Sequence, residues 1–146
     1  MEEFNVFLLD DEPVICEVLM KEIRKRKSLN PTITTVPEGT GSAALRVLKS
    51  MSEEDKEPDL SIIDLRLNNG LTGFDVIDKI IELFGKKSHK IVILTGSWEG
   101  SEDWERAMKY LAEDKVDEVL GKWGLGQVLS NIKKFLNRIE VGKETV

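Results

Sequence analysis

Five short apolar runs, each followed by apolar residues at helical spacing, constrain this chain more than any other feature. The first run, Phe4 to Leu9, is apolar apart from Asn5 and is closed by Asp10-Asp11, so it reads as a strand buried on both faces. Pro13 then suits a first helical turn, and Val14, Ile15, Val18, Leu19 and Ile23 form one stripe. Lys21, Arg24, Lys25, Arg26 and Lys27 gather near the end of that helix, where the negative end of the helix dipole favours them. Pro31 breaks the chain, and the β-branched run Thr32 to Val36 suits a second strand. A second helix is expected over Gly41 to Met51, followed by a charged loop from Ser52 to Glu57.

The third run is Leu60-Ser61-Ile62-Ile63-Asp64-Leu65-Arg66, a short buried strand ending in an acid. Asn68-Asn69-Gly70 follows as a loop, because Asn and Gly tolerate the positive φ of tight turns. After Gly73, the residues Phe74, Ile77, Ile80, Ile81 and Phe84 mark a third helix that stops at Gly85. Lys90 to Thr95 is a fourth strand ending in a hydroxyl and then Gly96. Ser101 caps a fourth helix with Trp104, Met108 and Leu111 on one side. Val116 to Leu120 is a weaker fifth strand, with Lys122 just beyond it. Leu125, Val128, Leu129, Ile132, Phe135, Leu136 and Ile139 give the clearest helical stripe of all.

Strands alternating with helices predict an α/β fold, a doubly wound five-stranded parallel sheet with helices on both faces. In such a sheet every strand ends at the same edge, where ligands bind. Asp10, Asp11, Asp64, Thr95 and Lys122 would then meet in one crevice. A single domain over 1–146 is expected, with its core about 4–139 and a short, mobile tail from Val141. The net charge of −6 argues against a nucleic-acid partner. The single cysteine, Cys16, excludes an internal disulfide and reads as a small buried hydrophobe. No apolar segment approaches membrane-spanning length and no basic, hydrophobic leader is visible, so no membrane contact and a cytoplasmic protein are expected.

The pieces Leu8-Leu9-Asp10-Asp11, Ile63-Asp64-Leu65-Arg66-Leu67 with Gly73, Leu94-Thr95-Gly96, and Lys122 resemble the receiver domain of two-component response regulators, from Phe4 to about Ile139. The resemblance implies the flavodoxin-like strand order 2-1-3-4-5. It makes Asp64 the phosphoacceptor, phosphorylated by a histidine kinase or a histidine phosphotransfer protein. It implies Mg2+, with Asp11 and Asp64 as direct ligands, Asp10 acting mainly through water, and the Arg66 backbone carbonyl as a further ligand. Thr95 would donate to the phosphoryl group, and Lys122 would offset its charge. Such a chain signals by protein–protein contact and is not a turnover enzyme. The alternative is a receiver-like interaction module that is never phosphorylated.

Two other functions fit less well. A haloacid-dehalogenase-like phosphatase wants Asp-x-Asp after its first strand, and an FMN binder wants a phosphate-cradling loop where Asp10-Asp11-Glu12 would repel phosphate. His89, the single histidine, precedes strand four and so lies on the order of 20 Å from Thr95 at ~3.3 Å per residue. It is expected to be a surface or loop residue with no part in phosphotransfer. Trp98 and Trp104 are expected to be partly buried. The chain departs from the family at Val119, where an aromatic is common, at Trp123, where proline is common, at Asn68, again in place of proline, and in a longer segment between Thr95 and Lys122.

Overall fold

A computed structural model describes residues 2–67, 70–87 and 89–144. The strands are β1 (Phe4–Leu9), β2 (Pro31–Thr35), β3 (Leu60–Asp64), β4 (Lys90–Thr95) and β5 (Glu118–Gly121). The helices are α1 (Pro13–Arg24), α2 (Gly41–Glu53), α3 (Gly73–Phe84), α4 (Glu102–Ala112) and α5 (Leu125–Glu144). All strand pairs are parallel, in the order β2-β1-β3-β4-β5. This is the expected doubly wound sheet. Pro31 opens the second strand instead of preceding it, as an edge strand allows.

Alternate strand residues face opposite layers, because successive side chains point to opposite sides of a sheet. Phe7, Leu9, Ile63, Ile91 and Ile93 pack with the apolar faces of α2, α3 and α4. Val6, Leu8, Leu60, Ile62, Val92 and Leu94 pack with α1 and α5. The basic end of α1 does more than meet the helix dipole. Arg26 donates to Glu22 at 3.0 Å and to Glu140 at 2.7 Å, tying α1 to α5. Helix α5 continues through Val141 to Glu144, so the expected mobile tail is partly ordered helix; the side chains beyond Gly142 are not described.

Several expectations about side chains are corrected. Val14 is exposed, and α1 buries Ile15, Leu19 and Ile23. In α4 the buried residues are Ala107 and Tyr110, while Met108 is exposed. The Tyr110 ring packs against Phe74 at 5.0 Å and its hydroxyl donates to Asp78 at 2.9 Å, which turns that side of α4 inward. Trp98 is 78% exposed, not partly buried; Trp104 is half-buried. Cys16 is half-buried and its Sγ donates to the Asp10 backbone carbonyl at 3.3 Å.

His89 is buried, not a surface residue, and does lie at the start of β4, at the edge opposite the strand ends. Among the described residues neither ring nitrogen has a hydrogen-bond partner, and Glu57 Oε1 lies 3.9 Å from Nδ1. Burial holds its pKa below the ordinary 6.5, against the pull of Glu57. The folded pKa is lower than the unfolded one, so the contribution to stability is complete above 6.5 and is lost as pH falls below it. Urea unfolding at about pH 7.5 and about pH 5 is expected to show a drop in midpoint that His89→Leu reduces.

Candidate functional site at the strand ends

The sheet register brings the sequence-predicted residues together. Leu9 pairs with Ile63, so the next residues, Asp10 and Asp64, leave neighbouring strands side by side. Thr95 pairs with Gly121, and Lys122 follows, its backbone N–H donating to the Thr95 carbonyl at 2.8 Å. Strand order reverses between β1 and β3, whose connections run to opposite sides. Crevices form at such a point. Here it is an open crevice of roughly 430 Å3, lined by Asp11, Asp64, Gly96, Ser97, Trp98 and Lys122 among others.

Lys122 is the centre of the charge network. Its Nζ lies 2.6 Å from Glu12 Oε2, 2.9 Å from Asp10 Oδ2 and 3.1 Å from Asp64 Oδ2. Its side chain is only 9% exposed. Burial works against its charge, but Glu12, Asp64 and Asp10 outweigh this and raise its pKa. One ammonium cannot neutralise so many carboxylates. Burial, then the Asp10 charge, push the Asp64 carboxyl up to about 7 despite Lys122. Burial raises the Asp10 carboxyl as well.

Asp10 is fixed at both oxygens. Oδ1 accepts the Glu12 backbone N–H at 2.8 Å and Oδ2 accepts from Lys122. The Asp10 side chain thus closes a local turn ahead of α1, whose N-cap is Glu12 with Pro13 in its first turn. Carboxylate oxygens of Asp10, Asp11 and Glu12 lie within 4.8 Å of one another. Glu12 was not among the expected site residues; its place directly after two acids was the available signal.

Thr95 is buried, and its Oγ1 accepts the Ser97 backbone N–H at 3.0 Å. A side chain added at Gly96 would meet nothing within 4 Å, so the floor beside Thr95 is open. Gly73 is the opposite case. A Cβ there would lie 2.2 Å from the Asp64 carbonyl oxygen and 2.8 Å from the Leu65 Cα. The start of α3 therefore packs directly on the backbone that carries Asp64, held also by Gly73 N–H donating to the Leu65 carbonyl at 2.9 Å. The Thr72–Asp75 capping box that starts this helix was not read from the sequence. Asn68 and Asn69, expected to form the loop after β3, lie outside the described residues.

Around the rim, Arg66 Nε donates to Asp103 Oδ2 at 3.1 Å, linking the β3 end to α4. Trp123, in place of the family's proline, donates from Nε1 to the Gly96 carbonyl at 3.2 Å, and its ring lies 5.9 Å from Trp104. A Cβ on Gly121 would sit 2.6 Å from the Trp123 ring, so the indole folds back over a residue without a side chain. Val119 packs against the α2–α3–α4 layer. Ser101 caps α4 as expected, accepting from the Trp104 N–H at 3.2 Å.

The constellation offers a carboxylate nucleophile, hard oxygen donors for a cation, an ammonium, and a hydroxyl beside open space. A family model described as the response regulator receiver domain matches residues 6–121. Among curated proteins none matches in sequence. Among solved structures, the phosphorylated cyanobacterial phytochrome response regulator RcpA is 21% identical with a TM-score of 0.70, covering 92% of this chain and 91% of its own. The Mn2+-bound response regulator Rcp1 is 19% identical with a TM-score of 0.65, covering 89% of each chain. A response regulator receiver domain from Rhodospirillum rubrum is 18% identical with a TM-score of 0.62, covering 97% of this chain and 94% of its own.

Proposed function

Because the chain belongs to the response regulator receiver family, we propose that it is a phosphoacceptor in which Asp64 takes a phosphoryl group from a histidine kinase or histidine phosphotransfer protein. The observation that carries this reading is the contact of Lys122 Nζ with both Asp64 and Asp10, at 3.1 Å and 2.9 Å, beside the open floor at Gly96. In the reaction an Asp64 carboxylate oxygen attacks phosphorus, the bond from phosphorus to the donor breaks, and an acyl phosphate forms. Lys122 offsets charge on the transferred group, and Thr95 donates its hydroxyl to a phosphoryl oxygen. Gly96 leaves room for the group.

The donor set also fits a divalent cation. Its atoms are hard oxygens, the Asp10 and Asp11 carboxylate oxygens lie within 4.8 Å of each other, and burial and then the Asp10 charge raise Asp64 to about 7. Asp11 and Asp64 would hold Mg2+ directly, with the Arg66 backbone carbonyl, and Asp10 would act mainly through water. When bound, Mg2+ supplies positive charge against the oxygens of the transferred group. A Mn2+-bound form and a phosphorylated form among similar regulators support both parts of this reading. The full set of acids disfavours a module that is never phosphorylated.

Output is proposed to run through protein–protein contact with a downstream target, without turnover of a substrate. Among the described residues no helix is long and apolar enough to cross a membrane. The direct test is incubation with acetyl phosphate and Mg2+, read by intact mass. One added phosphoryl group is expected, and none in excess chelator.

A second expectation concerns signal output. Val119 has no ring to turn, so Thr95, the loop after it and α4 carry the change. Trp123 is bonded to Gly96 and lies beside Trp104, so it should report movement there. Phosphorylation is expected to change tryptophan emission. Thr95→Ala should reduce that change, whereas Val119→Ala should leave most of it.

A further inference from the structure

An ammonium group has three N–H donors, and in this fold Lys122 meets three carboxylates. They are Glu12 at 2.6 Å, Asp10 at 2.9 Å and Asp64 at 3.1 Å. A phosphoryl group on Asp64 needs a donor from Lys122, so one of these contacts must yield. Asp10 is poorly placed to do so: its side chain is fully buried and its other oxygen already holds the Glu12 backbone N–H. Asp64 carries the phosphoryl group itself. Glu12 differs from both. Its side chain is 56% exposed, it makes no capping bond to α1, and water is available to it on release.

Resting on the phosphoacceptor reading of Asp64, we infer that Glu12 is a positioning residue that restrains phosphorylation. Its carboxylate occupies the Lys122 donor that the incoming phosphoryl group requires, and it withdraws into solvent as that group arrives. The neighbouring geometry supports the role. Asp10 receives the Glu12 N–H through Oδ1 and Lys122 through Oδ2, so one side chain sets both partners of the Glu12–Lys122 contact. The contact is between a buried cation and an exposed anion. Pairs with an exposed member contribute modestly, so its removal should speed phosphorylation by about two- to fivefold. Salt screens exposed charge, so the difference should shrink as ionic strength rises.

The test compares wild type, Glu12→Gln and Glu12→Ala. Initial phosphorylation rates with acetyl phosphate and Mg2+ are followed by intact mass at low and high salt. Mg2+ affinity is measured by calorimetry without phosphodonor, and folding is checked by thermal melt. Both variants are expected to react faster than wild type at low salt, to converge on it at high salt, and to keep its Mg2+ affinity. Equal rates at low salt would overturn the inference while leaving Asp64 as acceptor. Slower rates with weaker Mg2+ binding would also overturn it, by making Glu12 a metal ligand. A wild type that takes no phosphoryl group would remove the phosphoacceptor reading and this inference together.

Discussion

Asp64→Asn is expected to abolish phosphorylation by acetyl phosphate, leaving the intact mass of the variant unchanged under conditions that modify the wild type. The amide keeps the shape of the carboxyl but is a poor nucleophile. Asp10 has both oxygens engaged, and the Glu12 carboxylate is held by Lys122 at 2.6 Å. Labelling of the variant at the wild-type rate would assign the acceptor elsewhere. The same substitution should alter stability in the opposite sense. Asp64 has a folded pKa of about 7 against 3.8 unfolded, so the native state binds the proton more tightly. Stability is therefore complete below 3.8 and declines as pH rises through 7. At about pH 8 the metal-free Asn variant should be more stable than wild type, on the order of 2 kcal/mol. The gain should vanish at about pH 4. Urea unfolding at both values checks the sign.

Gly73→Ala should damage the fold more than any other single methyl group added near the site. The new carbon would lie 2.2 Å from the Asp64 carbonyl oxygen, 2.8 Å from the Leu65 Cα and 2.9 Å from the Asp64 carbonyl carbon. These are backbone atoms at the end of a central strand, so no side chain can rotate away. Either α3 lifts from the sheet or the end of β3 bends. The loss is expected to reach about 3 kcal/mol or more, at the upper end of overpacking costs. It should appear as a lower urea midpoint with reduced phosphorylation, because the moved backbone carries Asp64. By contrast Gly96→Ala meets no atom within 4 Å and should leave stability close to wild type.

Much of this architecture is legible in the sequence because period and punctuation are local signals. Each of β1, β3 and β4 is an apolar run with an acid or hydroxyl at its end, so the parallel order placed Asp10, Asp64 and Thr95 at one edge. Side-chain fates were less legible wherever a distant partner decides them. In α4, Trp104, Met108 and Leu111 form as good a stripe as Ala107 and Tyr110. The choice was made by Phe74 and Asp78 on α3, which the local pattern does not contain. His89 looked like a loop residue because lysines and serine precede it, yet the start of β4 carries it inside. Glu12 escaped attention for a related reason. Its partner lies 110 positions away in the chain, and only the sheet order from β1 through β3 and β4 to β5 makes them neighbours.

The fold of Trp123 over Gly121 bears on which sequences this chain can reach by single changes. While the indole stands, any side chain at position 121 must displace a ring held by the Gly96 carbonyl and set beside Trp104. Once residue 123 is small, the three atoms nearest to a new side chain at 121 are gone. The two sites are therefore epistatic, and their effects will not add. A lineage carrying this pair is committed: position 123 must be relaxed first, and only then does position 121 become free to vary.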